Sequence, residues 1–298
     1  MEASGSQEFL RLRKIVDVSL GEYISAMAQD VPPLLLEAME YSLTAGGKRL
    51  RPVLLLCAGK AVGGEENDLL PFACAVEFVH TYSLIHDDLP AMDDDDFRRG
   101  KPTSHKVFGE GAAVLAGDAL LTESFRIMAE SRIASLAPGK AIQAMADLAR
   151  AAGAAGMVGG QQMDLAAEKQ VDASSRPEDI ALRKTAALLA SCARVGAILG
   201  GGDAKQISML GNFGVRLGLL FQITDDILDE TATFEEMGKG TAKDRVRGKR
   251  TFTTEYGIKA ARERVDALGR EALEFLDLFC VQADPLRELV HTVQGRRS

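Results

Sequence analysis

Almost nowhere does this chain alternate apolar and polar residues. What recurs is helical spacing of Ala, Leu and Met, punctuated by Gly or Pro. That pattern disfavours a sheet-based fold and predicts an all-α protein. Helical segments are expected near 7–28, 33–45, 51–63, 68–88, 111–134, 139–152, 155–168, 177–200, 204–230, 251–257, 259–280 and 284–294. Their starts carry candidate caps at Asp68, Ser174 or Ser175, and Asp203. The longest irregular stretches, 89–110 and 231–250, each follow an aspartate cluster and are rich in Lys and Arg. With no linker, low-complexity tract or short repeat, residues 1–298 read as one domain, a single bundle of about a dozen helices.

Composition narrows the function classes. A hydrophobic share of 46% supports a large core. A net charge of −8 argues against a general nucleic-acid binder, which is usually basic. Cys57, Cys74, Cys192 and Cys280 are isolated from one another in apolar or mixed segments. They read as reduced core thiols, not as a disulfide framework or a zinc site. The first twenty residues lack the apolar core of a signal peptide, and no run approaches the roughly 18 apolar residues of a membrane span. The expected location is the cytoplasm.

Chemistry concentrates in two acidic clusters. In "FQITDDILDE", Gln222, Asp225, Asp226 and Asp229 follow the spacing i, i+3, i+4, i+7 and share one helix face within an apolar segment. Packed carboxylates repel unless a cation or proton compensates them. Mg²⁺ suits such a set, because it combines one or two carboxylates with waters and substrate phosphates. The other cluster lies in "SLIHDDLPAMDDDDFRRGKPTSHKVFG". His80 and Asp87 share a helix face about 10 Å apart. Pro90 ends or kinks that helix, and "LPAM" can bulge to return Asp93 to the side of Asp87. For Asp94, Asp95 and Asp96 a solvated charge run accounts for the sequence equally well.

Basic residues supply the complement. "GGKRLRP" sets Lys48 and Arg51 after a flexible Gly-Gly near a helix start, where anions are favoured. Arg98 and Arg99 can grip phosphate bidentately. Lys184 and Thr185 interrupt an apolar helix, and Lys239, Asp244 and Lys249 follow the second cluster. Two aspartate clusters holding Mg²⁺ between them, with these cations around, would grip a diphosphate. His86 and His105 make no comparable case and read as structural.

The elements "GGKRLRP", "HTYSLIHDDLPAMDDDDFRRGKPT", "LAGDALL", "GGQQMDL", "RKTAALL", "FQITDDILD" and "MGKGTAKD" together resemble the trans-isoprenyl diphosphate synthases, nearest to the bacterial farnesyl diphosphate synthases. They occur in the family's order between Gly46 and Lys249. The resemblance implies the isoprenoid synthase fold, helices around a central substrate cavity, and a homodimer. It implies that Asp87 and Asp93, supported by Asp88, bind two Mg²⁺ ions. A third would lie at Asp225, with Asp226, Asp229 and Asp244 around it; Mn²⁺ is a possible substitute. Lys48, Arg51, His80 and Arg99 would hold isopentenyl diphosphate. Arg98, Lys184 and Lys239 would hold the allylic diphosphate, with Lys249 nearby, while Thr185 and Gln222 face the reacting carbons. The interval from Lys239 to Asp244 is one residue longer than the family's usual spacing, which loosens the placement of Asp244 and Lys249.

In that family the side chain five residues before the first aspartate helps to floor the product pocket. Here it is Tyr82, beside the small Ser83, which favours a fifteen-carbon product; "RRGKPTSHKVFGE" also resembles twenty-carbon synthases. A terpene cyclase would share the all-α build, but needs no isopentenyl diphosphate site, and its second motif is typically an Asn/Ser/Glu pattern. A non-catalytic regulatory subunit would predict an eroded aspartate motif, whereas both are intact.

Overall fold

The computed structural model describes residues 7–168, 175–231 and 250–296. The architecture is all-α. In chain order the first helices are α1 (Gln7–Ala26), α2 (Pro33–Leu43), α3 (Leu50–Ala61) and α4 (Glu66–Asp87). A two-residue ladder follows, β1 (Phe97–Arg98) with β2 (Lys101–Pro102), and then α5 (Ser104–Phe108), α6 (Glu110–Ala129), α7 (Arg132–Leu136), α8 (Pro138–Ala152) and α9 (Met157–Glu168). Next come α10 (Pro177–Ala181), a π-helical turn (Leu182–Ala186), α11 (Ala187–Gly200) and α12 (Ala204–Thr231). The chain closes with α13 (Phe252–Tyr256), α14 (Ile258–Glu274), a 3₁₀ turn (Val281–Ala283) and α15 (Asp284–Gln294).

The core runs through α3, α4, α6, α11 and α12. Phe72, Phe78 and Phe213 are fully buried there, each contributing about 1.5–3 kcal/mol of burial. Small residues let α11 lie close to both neighbours. A Cβ on Gly196 would stand 2.2 Å from the Leu55 carbonyl of α3, and one on Gly214 of α12 would stand 2.6 Å from the Ala190 backbone. These contacts bring the two motif-bearing helices, α4 and α12, onto one framework. Both have the length and mean hydropathy of a membrane span, which the sequence reading did not foresee. Yet 67% and 56% of their apolar windows are buried inside the bundle, as core helices require.

Several local expectations need correction. Asp68 does not cap α4; it lies in the first turn and pairs bidentately with Arg132 at 2.8 and 2.7 Å. Arg176, not Ser175, precedes Pro177 at the start of α10, and Ser174 lies outside the described residues. Asp203 does cap α12: it accepts from the Gln206 N–H at 2.8 Å, while Gln206 accepts from the Asp203 N–H at 2.9 Å. The segment expected at 111–134 breaks at Ser131, whose hydroxyl caps α7. Cys280 is exposed, because α14 stops at Glu274 instead of continuing through it; Cys57, Cys74 and Cys192 are buried.

Candidate active site

The first aspartate motif sits where α4 runs out. Pro90 lacks the N–H that another helical turn needs, and the chain folds back: Asp93 N–H donates to the Asp87 carbonyl at 2.8 Å, and Asp94 N–H to Leu89 at 3.1 Å. The expected bulge is present, with Asp94 at φ 48°. Asp88 turns inward, only 3% exposed, and Arg98 Nε lies 2.8 Å from both its oxygens. Asp87 is half-buried, and its carboxylate has no hydrogen-bond partner among the described residues. Burial pushes its pKa up to about 6, against the pull of Lys184. Asp94 and Asp96 are exposed, and Lys106 pairs with Asp96 at 2.7 Å.

Arg98 and Arg99 lie on the hairpin that follows. Its register pairs Phe97 with Pro102 and Arg98 with Lys101, and its turn is Arg99–Gly100, with φ 53° and 77°. Two positive-φ residues make the tight turn whose twist suits a two-residue hairpin. Arg99 thereby reaches the Gly-Gly of the "GGKRLRP" loop and donates to the Gly46 carbonyl. Gly47, at φ +136°, leaves room for it: a Cβ there would lie 2.7 Å from the Arg99 guanidinium carbon.

That loop leads into α3. Arg51 Nη1 lies 3.1 Å from His80 Nε2, and Arg51 Nε and His80 Nδ1 are buried without a partner. Burial, then the Arg51 charge, drives His80 well below the usual histidine pKa, so the ring is neutral. Since Arg51 can only donate, Nε2 accepts and the proton resides on Nδ1. Lys48 is lowered by desolvation and by the nearby Arg296.

The opposite wall comes from α9, the π turn and α12. A Cβ on Gly160 would stand 2.2 Å from the Lys184 nitrogen, so only glycine lets α9 approach the π turn this closely. Lys184 Nζ then reaches Asp164 at 2.5 Å. Thr185 donates to Gln222 Oε1 at 2.7 Å, Gln222 Nε2 donates to Asp226 at 2.9 Å, and the Phe252 N–H donates to the other Asp226 oxygen at 3.0 Å. Asp226 is buried in this network. Asp225 instead meets Arg296 at 2.7 Å, and that guanidinium lies 4.7 Å from the centroid of the Phe221 ring. Burial raises the pKa of Asp225, opposed by Arg296, Lys48 and Arg51. Asp229 is half-buried one turn further along α12.

Tyr82 is 7% exposed and stands edge-on to His86, ring centroids 5.7 Å apart. His86 fills the space above Gly117 on α6, where a Cβ would be 2.1 Å from its Nε2, and bonds the Val114 carbonyl at 3.1 Å. Ser83 donates to the His80 carbonyl at 2.9 Å. His105 is buried against Thr103 at 3.1 Å. Lys239, Asp244 and Lys249 lie outside the described residues.

Four groups near this site went unassigned in the sequence. Arg49 and Glu77 pair at 2.6 Å, each side chain 2% exposed. A lone acid in the apolar run "ACAVEFV" was the available signal for Glu77. Asp164 stood in the quoted "GGQQMDL" without a role. Arg296 carried no signal at all.

Among the described residues no three Asp, Glu, His or Cys side chains converge to hold a metal unaided. The donor set still suits Mg²⁺ bound together with phosphate: Asp87 is a desolvated carboxylate without a protein partner, and Asp225 already holds a cation in the form of Arg296.

The polyprenyl synthetase family model matches residues 32–274. The chain belongs to the polyprenyl synthetase family. It is 43% identical to the farnesyl diphosphate synthase of Bacillus subtilis (strain 168), over 95% of each chain. It is 48% identical to a chloroplastic geranylgeranyl pyrophosphate synthase of Arabidopsis thaliana, over 89% of this chain and 74% of that one. A FPP/GFPP synthase from Zymomonas mobilis, solved in its apo form, superposes with a TM-score of 0.83 at 35% identity, over 96% of this chain and 97% of the other. A geranylgeranyl pyrophosphate synthetase from Pyrococcus horikoshii Ot3 gives 0.86 at 30% identity, over 97% and 98%. The expected isoprenoid synthase fold is therefore this polyprenyl synthetase's fold.

Proposed function

We propose that this polyprenyl synthetase condenses isopentenyl diphosphate head to tail with dimethylallyl and then geranyl diphosphate, giving (2E,6E)-farnesyl diphosphate and pyrophosphate. The observation that carries the fifteen-carbon end point is the buried Tyr82 ring, five residues before Asp87. Wedged against His86 over α6, it is a rigid obstacle to a chain growing along α4. The Bacillus subtilis relative supports this reading. Geranylgeranyl diphosphate is the second reading, favoured by the name of the 48%-identical Arabidopsis thaliana relative.

Three Mg²⁺ ions, or Mn²⁺ in their place, held by Asp87, Asp93 and Asp225 with Asp229 and Asp244 near the third, would supply the charge that stabilises the departing pyrophosphate. The remaining work falls to the chain. Lys184, oriented by Asp164, and Arg98, oriented by Asp88, add positive charge where the allylic C–O bond breaks, together with Lys239 and Lys249. Thr185 orients the Gln222 amide, whose oxygen stabilises the allylic cation. Lys48, Arg51 and Arg99 hold the diphosphate of isopentenyl diphosphate, and His80 donates from Nδ1 instead of acting as a base. The isopentenyl double bond forms the new C–C bond, and the proton then lost passes to pyrophosphate.

We also infer a cytoplasmic homodimer. The four cysteines are free, as in a reducing compartment, and α6 leaves Val114 and Leu115 exposed, an apolar face suited to a second copy. The test of the pocket floor is Tyr82→Ala. Its products, dephosphorylated and sized by mass spectrometry, should shift to twenty carbons or longer. An unchanged product distribution would sink the flooring role.

A further inference from the structure

One arginine of the "GGKRLRP" loop is wholly engaged with the protein interior. Arg49 opens α3 in the left-handed region, at φ 49°, and its guanidinium is buried. Every edge of it is used: Nη1 donates to Glu77 on α4 at 2.6 Å, Nε to Asp17 on α1 at 2.7 Å, and Nη2 to the Leu43 carbonyl of α2 at 2.7 Å. A buried ion pair adds little stability over an apolar replacement, so its purpose is better sought in position or specificity.

The surroundings suggest which. Glu77 lies one helical turn before His80, and His80 holds Arg51 at 3.1 Å. Arg51 has a buried Nε without a partner, and Arg99 leans over Gly46 and Gly47 of the same loop. Glu77 is the buried acid among these three arginines; burial lowers the pKa of both Arg51 and Arg99, and the Glu77 charge opposes that shift in each. Left without Arg49, it would seek the nearest guanidinium.

We propose that Arg49 is a positioning residue: by engaging Glu77 it keeps that carboxylate off Arg51 and Arg99, leaving both guanidiniums available to a diphosphate. The proposal rests on the reading that Arg51 and Arg99 hold isopentenyl diphosphate. Left-handed backbone at Arg49 goes with a side chain turned to Asp17, Glu77 and Leu43, whereas Lys48 and Arg51, its neighbours in sequence, are on the proposed reading the ones that meet the diphosphate. The loop thus separates one cation that neutralises the interior from two that bind.

The decisive comparison is Arg49→Met against Arg49→Met/Glu77→Met. Steady-state kinetics would give KM for isopentenyl diphosphate and for the allylic partner. Calorimetry would give binding of isopentenyl diphosphate alone and of inorganic pyrophosphate with Mg²⁺. In Arg49→Met, the isopentenyl diphosphate KM should rise about tenfold or more, with the allylic KM moving less than about threefold. The double variant should return both KM and binding to within about threefold of the starting protein. A double variant as impaired as the single one would overturn the proposal, since it would mean that Arg49 only holds the loop's shape. An unchanged KM in Arg49→Met would overturn it too. Should Arg49→Met not fold, the double variant decides alone: near-normal binding supports the proposal, and tenfold weaker binding refutes it. Should the unmodified protein make no prenyl product, the functional reading fails separately, and pyrophosphate calorimetry still tests the role of Arg49.

Discussion

The two Asp-Asp pairs solve the same problem in opposite ways. In each, the second aspartate is buried and committed to the protein: Asp88 to Arg98, Asp226 to Gln222 and the Phe252 N–H. In each, the first is the one that the proposed function assigns to the metal. The surroundings then diverge. Asp87 closes a helix and has no hydrogen-bond partner for its carboxylate among the described residues, whereas Asp225 lies inside a continuous helix and is paired with Arg296. Adjacent carboxylates in sequence are thus not a single ligand set. One of each pair is tied into the protein, and the other is the one that the proposed function assigns to the ligand.

The largest expected effect tests that division. Asp87→Asn and Asp225→Asn should each lower kcat by at least about a hundredfold while leaving the fold intact, as measured by steady-state turnover and circular dichroism. Asp88→Asn should instead lower stability, by about 3 kcal/mol, because it strands the partly buried Arg98. Equal thermal stability of Asp88→Asn and the unmodified protein would break the comparison.

A pH series sharpens it. A carboxylate whose folded pKa is raised costs stability as pH climbs from its unfolded value through its folded one, because the folded state holds the proton longer. For Asp87 that window runs from the ordinary 3.8 to about 6. Asp87→Asn without Mg²⁺ should therefore match the unmodified protein's Tm near pH 4. Above pH 6 its Tm should be the higher, with an unfolding free energy larger by roughly 1–2 kcal/mol, a figure discounted for partial exposure. The smallest effect is at Arg296. As it already occupies Asp225, Arg296→Ala should strengthen stabilisation by Mg²⁺ with pyrophosphate about threefold in midpoint concentration, read by thermal unfolding.

The all-α class and both aspartate motifs were legible because they depend on local periodicity and residue type. Asp203 announced its helix, and Pro90 announced the end of α4 and the return of Asp93. What stayed hidden was whatever needs distant partners. Asp68 has the composition of a cap but serves Arg132, sixty-four residues away. The break at Ser131 divides a stretch whose periodicity reads as one helix. The π turn at Leu182–Ala186 was invisible for a similar reason: its extra residue serves the approach of Gly160, not any pattern in "RKTAALL". Arg49 drew no assignment beside Lys48 and Arg51, because its left-handed backbone and its distant partners Asp17 and Glu77 are not written in the local pattern.

The central claim is that these residues assemble a condensing site with a fifteen-carbon floor. The most direct test incubates the purified protein and Mg²⁺ with isopentenyl diphosphate and, separately, dimethylallyl, geranyl or farnesyl diphosphate, then sizes the dephosphorylated products by mass spectrometry. The account predicts farnesol from the first two starters and no extension of the third. Twenty-carbon products would contradict the Tyr82 floor while keeping the condensation, and no condensation with any starter would contradict the account itself.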